Sequence, residues 1–268
     1  MNVGGKLIDL SSPKVMGILN ITPDSFYDGG RHNTVGAALV QAEKLLTAGA
    51  DILDIGAYSS RPGAADVSAD EEQARLLPVI EAVITKFPES TLSIDTFRAS
   101  VARASVVAGA HVINDISGGT LDSDMFTTVA ELQVPYILMH MRGTPNTMQQ
   151  LTDYEDVVRD VSLFFGKQVA ALRELGVKDI ILDPGFGFAK TLEQNYELLR
   201  RLDTLHVHGL PILGAISRKS MIYKKLGVKA EDALNGTTVL NTLLLLKGVH
   251  ILRVHDVKAA KEAIALLQ

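Results

Sequence analysis

The chain has 268 residues and a mass of 28.8 kDa, enough for one large hydrophobic core and close to the roughly 250 residues of a typical α/β barrel. Its 26 Lys+Arg against 31 Asp+Glu give a formal net charge of -5, which argues against nucleic acid or an anionic membrane as a partner. With Cys 0, disulfides and thiolate chemistry are excluded, so any metal would need oxygen or nitrogen ligands. The composition favours a small-molecule ligand and a reducing cytosol.

Neither a secretion signal nor a membrane span is predicted. The start of the chain includes Lys6 and Asp9 and contains no apolar core of signal-peptide length. The most apolar stretch, Val239 to Leu246, stops at Lys247, well short of the ~20 residues that cross a bilayer. We therefore expect a cytoplasmic protein in which this stretch is a buried helix.

Short apolar runs alternate along the chain with longer stretches of helical period, a pattern typical of βαβ units around a parallel sheet. The predicted strands, in chain order, are Val15–Leu19, Asp51–Ile55, Leu92–Asp95, His111–Asp115, Tyr136–Met139, Ile180–Asp183, Ile212–Ile216 and Leu252–His255. The predicted helices are Val35–Ala48, Asp70–Lys86, Phe97–Ala108, Asp122–Leu132, Tyr154–Leu175, Leu192–Leu202, Glu231–Leu246 and Val257–Leu267. Since eight strands close a barrel, we predict one (β/α)8 TIM-barrel domain over residues 1–268, with residues 1–12 as an extension onto it.

Two predicted connections are longer than the usual barrel loop. They are Asn20–Asn33 after the first strand and Gly56–Asp70 after the second, and both are rich in Gly, Pro, Ser and Asp. Long loops at the carboxyl end of barrel strands commonly build the active site. We expect both loops to take part in function.

Polar side chains recur at the carboxyl ends of the predicted strands, where this architecture places its active sites. They are Asn20; Ser59, Ser60 and Arg61; Asp95; Asn114 and Asp115; Asp183; Ser217, Arg218 and Lys219; and Arg253 and His255. Any one of them is more often a turn former or a helix cap than a functional group. Their recurrence after seven of the eight predicted strands indicates an active site.

Four of these residues suit a phosphate or a diphosphate: Asn20, Arg61, Arg253 and His255. Guanidinium groups pair with phosphate oxygens in bidentate fashion. The alternative is that the arginines are surface charges. Against it, Arg253 lies in an apolar strand that would carry it into the barrel, where an unpaired arginine is costly.

Four others combine acceptors with donors: Asp95, Asn114, Asp183 and Lys219. Such a set suits a flat heterocycle with several ring nitrogens, because buried carboxylates can bind N–H groups that apolar walls cannot. The alternative is a buried Asp–Lys ion pair with a purely structural role.

Two further motifs are weak. The segment Pro184–Lys190 lacks the third glycine of the dinucleotide fingerprint and the Gly-Lys-Ser/Thr ending of a P-loop. His140 has no second histidine or carboxylate at ligand spacing, so we predict a loop residue and not a metal ligand.

A set of short motifs resembles the signatures of the dihydropteroate synthases. They are Met16–Phe26 followed by Asp28-Gly29-Gly30, Ser60–Gly63, Ser93–Thr96, Asn114–Gly119, Ile181–Phe188, Ser217–Ser220 and Arg253–Asp256. They occur in order and at the family's spacing from about Pro13 to the end of the chain. Together they make the resemblance specific.

The resemblance implies a TIM-barrel transferase of folate biosynthesis. It would condense 6-hydroxymethyl-7,8-dihydropterin diphosphate with 4-aminobenzoate, giving 7,8-dihydropteroate and pyrophosphate. In this family pyrophosphate departs before the attack, and Asp95 would stabilise the pterin cation that remains. The implied catalytic residues are Asp95, Lys219 and Arg61.

The same resemblance assigns the substrate-binding residues. The pterin would be held by Asp95, Asn114, Asp183 and Lys219, with Met139 and Phe188 lining it. The diphosphate would be held by Asn20, Arg61, Arg253 and His255, with Mg²⁺ as the cofactor and Asn20 as its metal ligand.

For aminobenzoate, the resemblance implies that Phe26 and Pro62 pack on the ring while Ser220 lies near its carboxylate. Ser60 keeps the hydroxyl of the family's usual threonine. Sulfonamides mimic aminobenzoate, so they are expected inhibitors. The family also implies a homodimer, for which the apolar stretch Val239–Leu246 is the candidate contact.

The chain departs from the family pattern at two positions. Tyr58 stands where many members have an acid, and Ala189 stands where glycine is frequent, which we expect to be a mild change. Two alternative functions are a pterin-dependent methyltransferase domain and a non-catalytic pterin-binding paralogue. The first would have no use for a diphosphate site formed by Arg61, Arg253 and His255.

Overall fold

The chain folds as a parallel β/α barrel. A computed structural model describes residues 1–21, 31–58 and 67–268. The strands are β1 (Asn2–Val3), β2 (Lys6–Leu7), β3 (Lys14–Asn20), β4 (Ile52–Gly56), β5 (Thr91–Asp95), β6 (Val112–Asp115), β7 (Tyr136–Met139), β8 (Ile180–Asp183), β9 (Leu213–Gly214) and β10 (Ile251–Val254).

Within the described ranges, the eight strands β3 to β10 form one parallel sheet in the order β8-β7-β6-β5-β4-β3-β10-β9. An isolated parallel bridge between Leu182 and Ile212 joins the two ends of this sheet, and so closes the barrel. The predicted (β/α)8 barrel is therefore confirmed, and each predicted strand overlaps an observed one.

The helices surround this sheet. They are α1 (Arg31–Thr47), α2 (Ala69–Lys86), α3 (Ala99–Val107), α4 (Met125–Leu132), α5 (Val157–Glu174), α6 (Leu192–Arg200), α7 (Ser220–Leu226), α8 (Leu234–Leu246) and α9 (Val257–Leu267). Local sequence explains where several begin: Thr191 and Gln194 form a reciprocal capping box at the start of α6. Across the described residues, no helix has both the length and the apolar character needed to cross a membrane.

Two apolar clusters show which way the side chains of the barrel strands point. The larger one fills the space between sheet and helices, and the smaller one lies inside the barrel and includes Ile52, Val112, Ile181 and Ile251. Side chains two positions apart on a strand share a face. The residues two positions further along these strands therefore point into the same interior, nearer its carboxyl end: Asp54, Asn114, Asp183 and Arg253.

A short antiparallel hairpin of β1 and β2 covers the other end of the barrel. Val3 is buried and packs with the interior apolar cluster, together with Met1 and Ile8. The backbone N–H of Asn2 donates to the Asp179 carboxylate at 3.0 Å, which ties the hairpin to the segment before β8. The hairpin therefore closes the amino end of the barrel interior.

Candidate active site

Four polar side chains meet inside the carboxyl end of the barrel. Arg253 donates through Nε to Asp54 Oδ2 at 2.6 Å and through Nη2 to Asp95 Oδ2 at 2.7 Å. Asn114 Nδ2 donates to the same Asp54 oxygen at 3.0 Å. We call Asp54, Asp95, Asn114 and Arg253 the interior cluster.

The interior cluster carries one more carboxylate than guanidinium group. Asp54 is fully buried, and the side chains of Asp95 and Arg253 are 20% and 16% exposed. Burial raises the pKa of Asp95 to about 7; the Arg253 charge opposes this shift and the Asp54 charge adds to it. Burial disfavours the charged form of Arg253, but Asp54 and Asp95 raise the pKa of Arg253 above its usual value.

The bond to Asp54 fixes which way the Asn114 amide points. Because its Nδ2 donates to Asp54, its Oδ1 lies on the other side, and Oδ1 makes no hydrogen bond with any described residue. Asn114 therefore offers an acceptor, which suits a ring N–H group. Sequence reasoning missed Asp54, which orients both Asn114 and Arg253.

Asp183 and Lys219 lie beside the loop that follows β8. Asp183 Oδ1 accepts from the backbone N–H of Gly185 at 2.8 Å. Lys219 Nζ donates to the Phe186 carbonyl at 2.7 Å and lies 4.8 Å from the centre of the Phe188 ring. Burial raises the pKa of Asp183 and lowers that of Lys219 to about 8, and the charge of each residue opposes the shift of the other. The structure shows no direct Asp–Lys ion pair for Lys219 within the described part of the chain.

An apolar wall lies beside these polar groups. Met139 is buried at the end of β7 in a cluster with Ile116, Met141 and Ala189, and Phe188 packs against it. A methionine and a phenylalanine beside buried donors and acceptors can line a flat ring while the polar groups orient it. The predicted pterin-facing residues therefore lie at one end of the barrel.

A buried lysine supports the loop that carries Phe188. Lys190 Nζ lies 3.0 Å from His140 Nδ1 and donates to the carbonyls of Gly185 and Phe188, both at 3.0 Å. Burial lowers the pKa of Lys190 to about 7 and holds that of His140 well below its usual value. His140 is a buried hydrogen-bond partner and makes no part of a metal-binding group among the described residues.

Ala189 adopts a backbone conformation that is rare for a residue with a β-carbon. Its φ of 48° lies in the left-handed region, so the change from the family's glycine is not mild. We expect Ala189→Gly to raise the free energy of unfolding by about 0.5 to 1 kcal/mol, because relief of strain exceeds the added entropy of the unfolded chain. Chemical denaturation measures this difference.

The matched control places the same substitution in a right-handed helix. Ala104 lies inside α3, where Ala104→Gly is expected to lower the free energy of unfolding by about 1 kcal/mol. Equal losses for the two variants would show that the left-handed turn at Ala189 is not strained.

Some of the remaining predicted residues lie at the rim, and the others fall outside the described ranges. Asn20 ends β3 and is exposed, His255 follows β10 and is exposed, and Ser220 is the first residue of α7. Phe26, Ser60, Arg61 and Pro62 lie outside the described residues, so their roles stay predictions.

Tyr58, which stands where the family often has an acid, packs against the start of α3. Its ring meets that of Phe97 edge-on at 5.2 Å between centroids, and the Arg98 guanidinium lies 5.3 Å from the Tyr58 centroid. Arg98 also pairs with the buried Glu72 of α2. Tyr58 therefore anchors the chain just after β4.

Known proteins resemble this chain over nearly its whole length. The model of the pterin binding enzyme family matches residues 16–255. A dihydropteroate synthase of Escherichia coli (strain K12) is 45% identical over 266 residues, covering 98% of this chain and 94% of the relative.

Two solved structures show the same architecture. A Yersinia pestis dihydropteroate synthase in complex with a sulfonamide drug has a TM-score of 0.93 and 43% identity, covering 100% of this chain and 97% of its own. A Xanthomonas albilineans dihydropteroate synthase in complex with 7,8-dihydropteroate has a TM-score of 0.90 and 38% identity, with coverage of 100% and 97%. Each of these matches spans nearly all of both chains.

Proposed function

Because this chain belongs to the pterin binding enzyme family, and within it to the dihydropteroate synthases, we propose that its interior cluster and rim catalyse formation of 7,8-dihydropteroate. The substrates are 6-hydroxymethyl-7,8-dihydropterin diphosphate and 4-aminobenzoate, and pyrophosphate is the second product. One observation supports this above others. Arg253, a predicted diphosphate ligand, is bonded directly to Asp95, a predicted pterin ligand.

The pterin pocket follows from the donors and acceptors of the barrel interior. The Asn114 Oδ1 and the carboxylates of Asp95 and Asp183 accept from ring N–H groups, and Lys219 donates to a ring acceptor. Met139 and Phe188 line the faces of the ring. A ring held in this way would lie at the mouth of the interior cluster, with Asp95 close to its reacting side.

The charge of Asp95 explains how the carbon–oxygen bond to the diphosphate breaks. Departure of pyrophosphate leaves positive charge on the pterin, and a nearby carboxylate stabilises it before the amine of aminobenzoate attacks. Arg253 also binds this carboxylate. A bound diphosphate would compete with Asp95 for Arg253, which would leave the Asp95 charge available to the pterin.

The diphosphate is assigned to Arg253, His255, Asn20 and Arg61. No group of three His, Asp or Glu side chains that could hold a metal exists among the described residues. The exposed Asn20 supplies one amide oxygen, which fits a Mg²⁺ ion held mainly by the diphosphate, since Mg²⁺ prefers oxygen ligands and keeps several waters. When bound, the ion would neutralise charge on the leaving pyrophosphate.

The aminobenzoate site is assigned to the two long loops and α7. Phe26 and Pro62 would pack on the ring, Ser60 would support the second loop with its hydroxyl, and Ser220 would lie near the carboxylate. Closure of the loops would exclude water, which could otherwise trap the pterin cation. Sulfonamides would occupy the same site.

The proposal extends to assembly and location. The predicted burial of Val239–Leu246 is wrong, because helix α8 covers the barrel with one side only and exposes Val239, Leu243 and Leu246 on the other. This exposed apolar face suits contact with a second copy of the chain. A homodimer working in the cytoplasm is consistent with this face and with the absence of cysteine. A monomer in sedimentation would contradict the dimer.

The experiment that tests the function measures pyrophosphate release from the pterin diphosphate with Mg²⁺, with and without 4-aminobenzoate. We expect release that depends on aminobenzoate, yields dihydropteroate and is inhibited competitively by a sulfonamide. Pterin binding without release would favour the non-catalytic paralogue. Methyl transfer to or from a bound pterin, with no pyrophosphate formed, would favour the methyltransferase alternative.

A further inference from the structure

Ser217 and His255 contact each other just beyond the ends of β9 and β10. The Ser217 hydroxyl oxygen accepts a hydrogen bond from the His255 backbone N–H at 3.1 Å and lies 3.0 Å from His255 Nδ1. Ser217 is buried, whereas His255 is exposed at the rim. One hydroxyl therefore contacts both the backbone and the ring of a predicted diphosphate ligand.

The single proton of this hydroxyl decides which ring nitrogen of His255 is protonated. If Nδ1 carried the ring proton, the Ser217 oxygen would accept two N–H bonds, and its own buried proton would have no acceptor among the described residues. If the hydroxyl instead donates to Nδ1, then the Ser217 hydroxyl, His255 Nδ1 and the His255 backbone N–H all have hydrogen-bond partners. In a neutral ring, the proton then lies on Nε2.

The ring is neutral near pH 7 for an independent reason. Although His255 remains partly exposed, desolvation by the protein packed around its ring lowers the pKa of His255 below its usual value, and the positive charge of Arg253 adds to this shift. Nε2 makes no hydrogen bond with any residue in the described ranges. The proton on Nε2 is therefore available to a ligand.

A second pair of residues sets the spacing between Ser217 and His255. Arg218 donates through Nε and Nη2 to the two carboxylate oxygens of Asp256, at 2.7 and 2.9 Å. The backbone N–H of Arg218 donates to Thr237 Oγ1 at 3.0 Å. Since the β9–β10 ladder ends at Gly214 and Leu252, this bidentate ion pair holds the two segments together beyond the sheet.

We propose that Ser217 is a positioning residue that holds His255 as the Nε2–H tautomer, so that the ring presents a donor to the diphosphate oxygens. Phosphate oxygens only accept hydrogen bonds, so the other tautomer would turn a lone pair toward the anion. The assignment of the ligand rests on the proposed function, whereas the tautomer does not depend on it.

The test reads the tautomer directly by ¹⁵N NMR of the histidine rings in the ligand-free protein, with His255 assigned from the spectrum of His255→Gln. We expect an unprotonated Nδ1 and a protonated Nε2 in the unaltered chain, and a mixture of tautomers in Ser217→Ala. The Kd for inorganic pyrophosphate should rise about 3- to 10-fold in Ser217→Ala, since only part of the population presents the donor. The KM for the pterin diphosphate should rise more than kcat falls.

Two variants separate this role from a structural one. Ser217→Thr keeps the hydroxyl and should restore both the tautomer and the Kd. Ser105→Ala removes a buried hydroxyl on α3 that has no hydrogen-bond partner among the described residues, and it should leave the His255 spectrum unchanged.

The outcomes distinguish the two proposals. A proton on Nδ1 in the unaltered chain, or an unchanged His255 spectrum in Ser217→Ala, would overturn the inference. If the tautomer is as expected but neither pyrophosphate nor the pterin diphosphate binds, the tautomer inference holds and the proposed function fails.

Discussion

We expect Asp95→Asn to lower kcat for dihydropteroate formation by about 100- to 1,000-fold, the range found when one group that stabilises transition-state charge is removed. Asparagine keeps the size of the side chain and an oxygen that can accept from Arg253, but it removes the charge that faces the developing pterin cation. The KM for the pterin diphosphate should change less than kcat. Steady-state kinetics on both substrates measures the two effects separately.

The pH dependence of kcat/KM is a second test of the role of the Asp95 charge. Because the pKa of Asp95 is raised to about 7, this carboxyl takes up a proton as the pH falls through that value, and kcat/KM should decline below it. This limb should be absent from the profile of Asp95→Asn.

The raised pKa of Asp95 also makes the free energy of unfolding depend on pH, in the direction opposite to that of an ordinary paired carboxylate. The folded state binds more protons than the unfolded state between about pH 4 and 7, so this carboxyl makes stability fall as the pH rises through that window.

A control variant removes a carboxylate far from the interior cluster. Asp203 is an exposed residue paired with Lys247 at 2.9 Å, and Asp203→Asn should leave kcat and the pH profile unchanged. An Asp95→Asn enzyme with kcat within threefold of the unaltered chain would contradict an electrostatic role for Asp95.

The barrel could be predicted from the sequence because its strands and helices repeat with different hydrophobic periods. The sequence predicts helix α9 with the observed bounds, Val257–Leu267, because apolar positions recur at helical spacing along its whole length. The elements that were missed are short. Helix α7 has 7 residues and the strands of the hairpin have 2 each, too few for a period to be recognised.

The candidate site could be predicted in part, because a parallel barrel brings the carboxyl ends of all its strands to one rim. That rule led to Asp95, Asn114, Asp183 and Arg253. It missed Asp54, which lies in the middle of β4, although a charged residue inside an otherwise apolar strand was a usable signal. It also could not show that Arg253 pairs with Asp54, since these residues are 199 positions apart.

The pairing of Arg253 changes how the two predicted residue groups are understood. The sequence analysis treats the residues predicted to bind the diphosphate and those predicted to bind the pterin as two separate sets. In the structure, however, Asp54 and Asp95 both bind the guanidinium of Arg253. Arg253, predicted to bind the diphosphate, is thus held by Asp95, predicted to bind the pterin, and by Asp54, which orients Asn114. Binding of the diphosphate and exposure of the Asp95 charge are expected to be coupled through Arg253.

Asp54 is the fully buried carboxylate of the interior cluster, so its replacement is expected to have a large effect on stability. We expect Asp54→Asn to lower the free energy of unfolding by about 3 kcal/mol, because it removes one of two carboxylates from a buried guanidinium and places an amide donor beside Arg253 and Asn114. The kcat/KM should fall by at least the factor seen for Asp95→Asn, since both Arg253 and Asn114 lose their orientation. Chemical denaturation and steady-state kinetics measure the two losses.

A neighbouring carboxylate supplies the comparison that decides whether burial is the cause. Asp51 pairs with Lys261 at 2.6 Å and accepts from the Val15 backbone N–H at 2.7 Å, but its side chain is 29% exposed. Because the oxygen of an asparagine can still accept from Val15, Asp51→Asn should cost about 1 kcal/mol or less and leave kcat unchanged. If the two variants lose equal stability, the guanidinium does not depend on Asp54 for its charge balance. If Asp54→Asn instead loses stability but keeps kcat/KM, Arg253 and Asn114 reach their working positions without Asp54, and Asp95 alone must hold the arginine until the diphosphate binds.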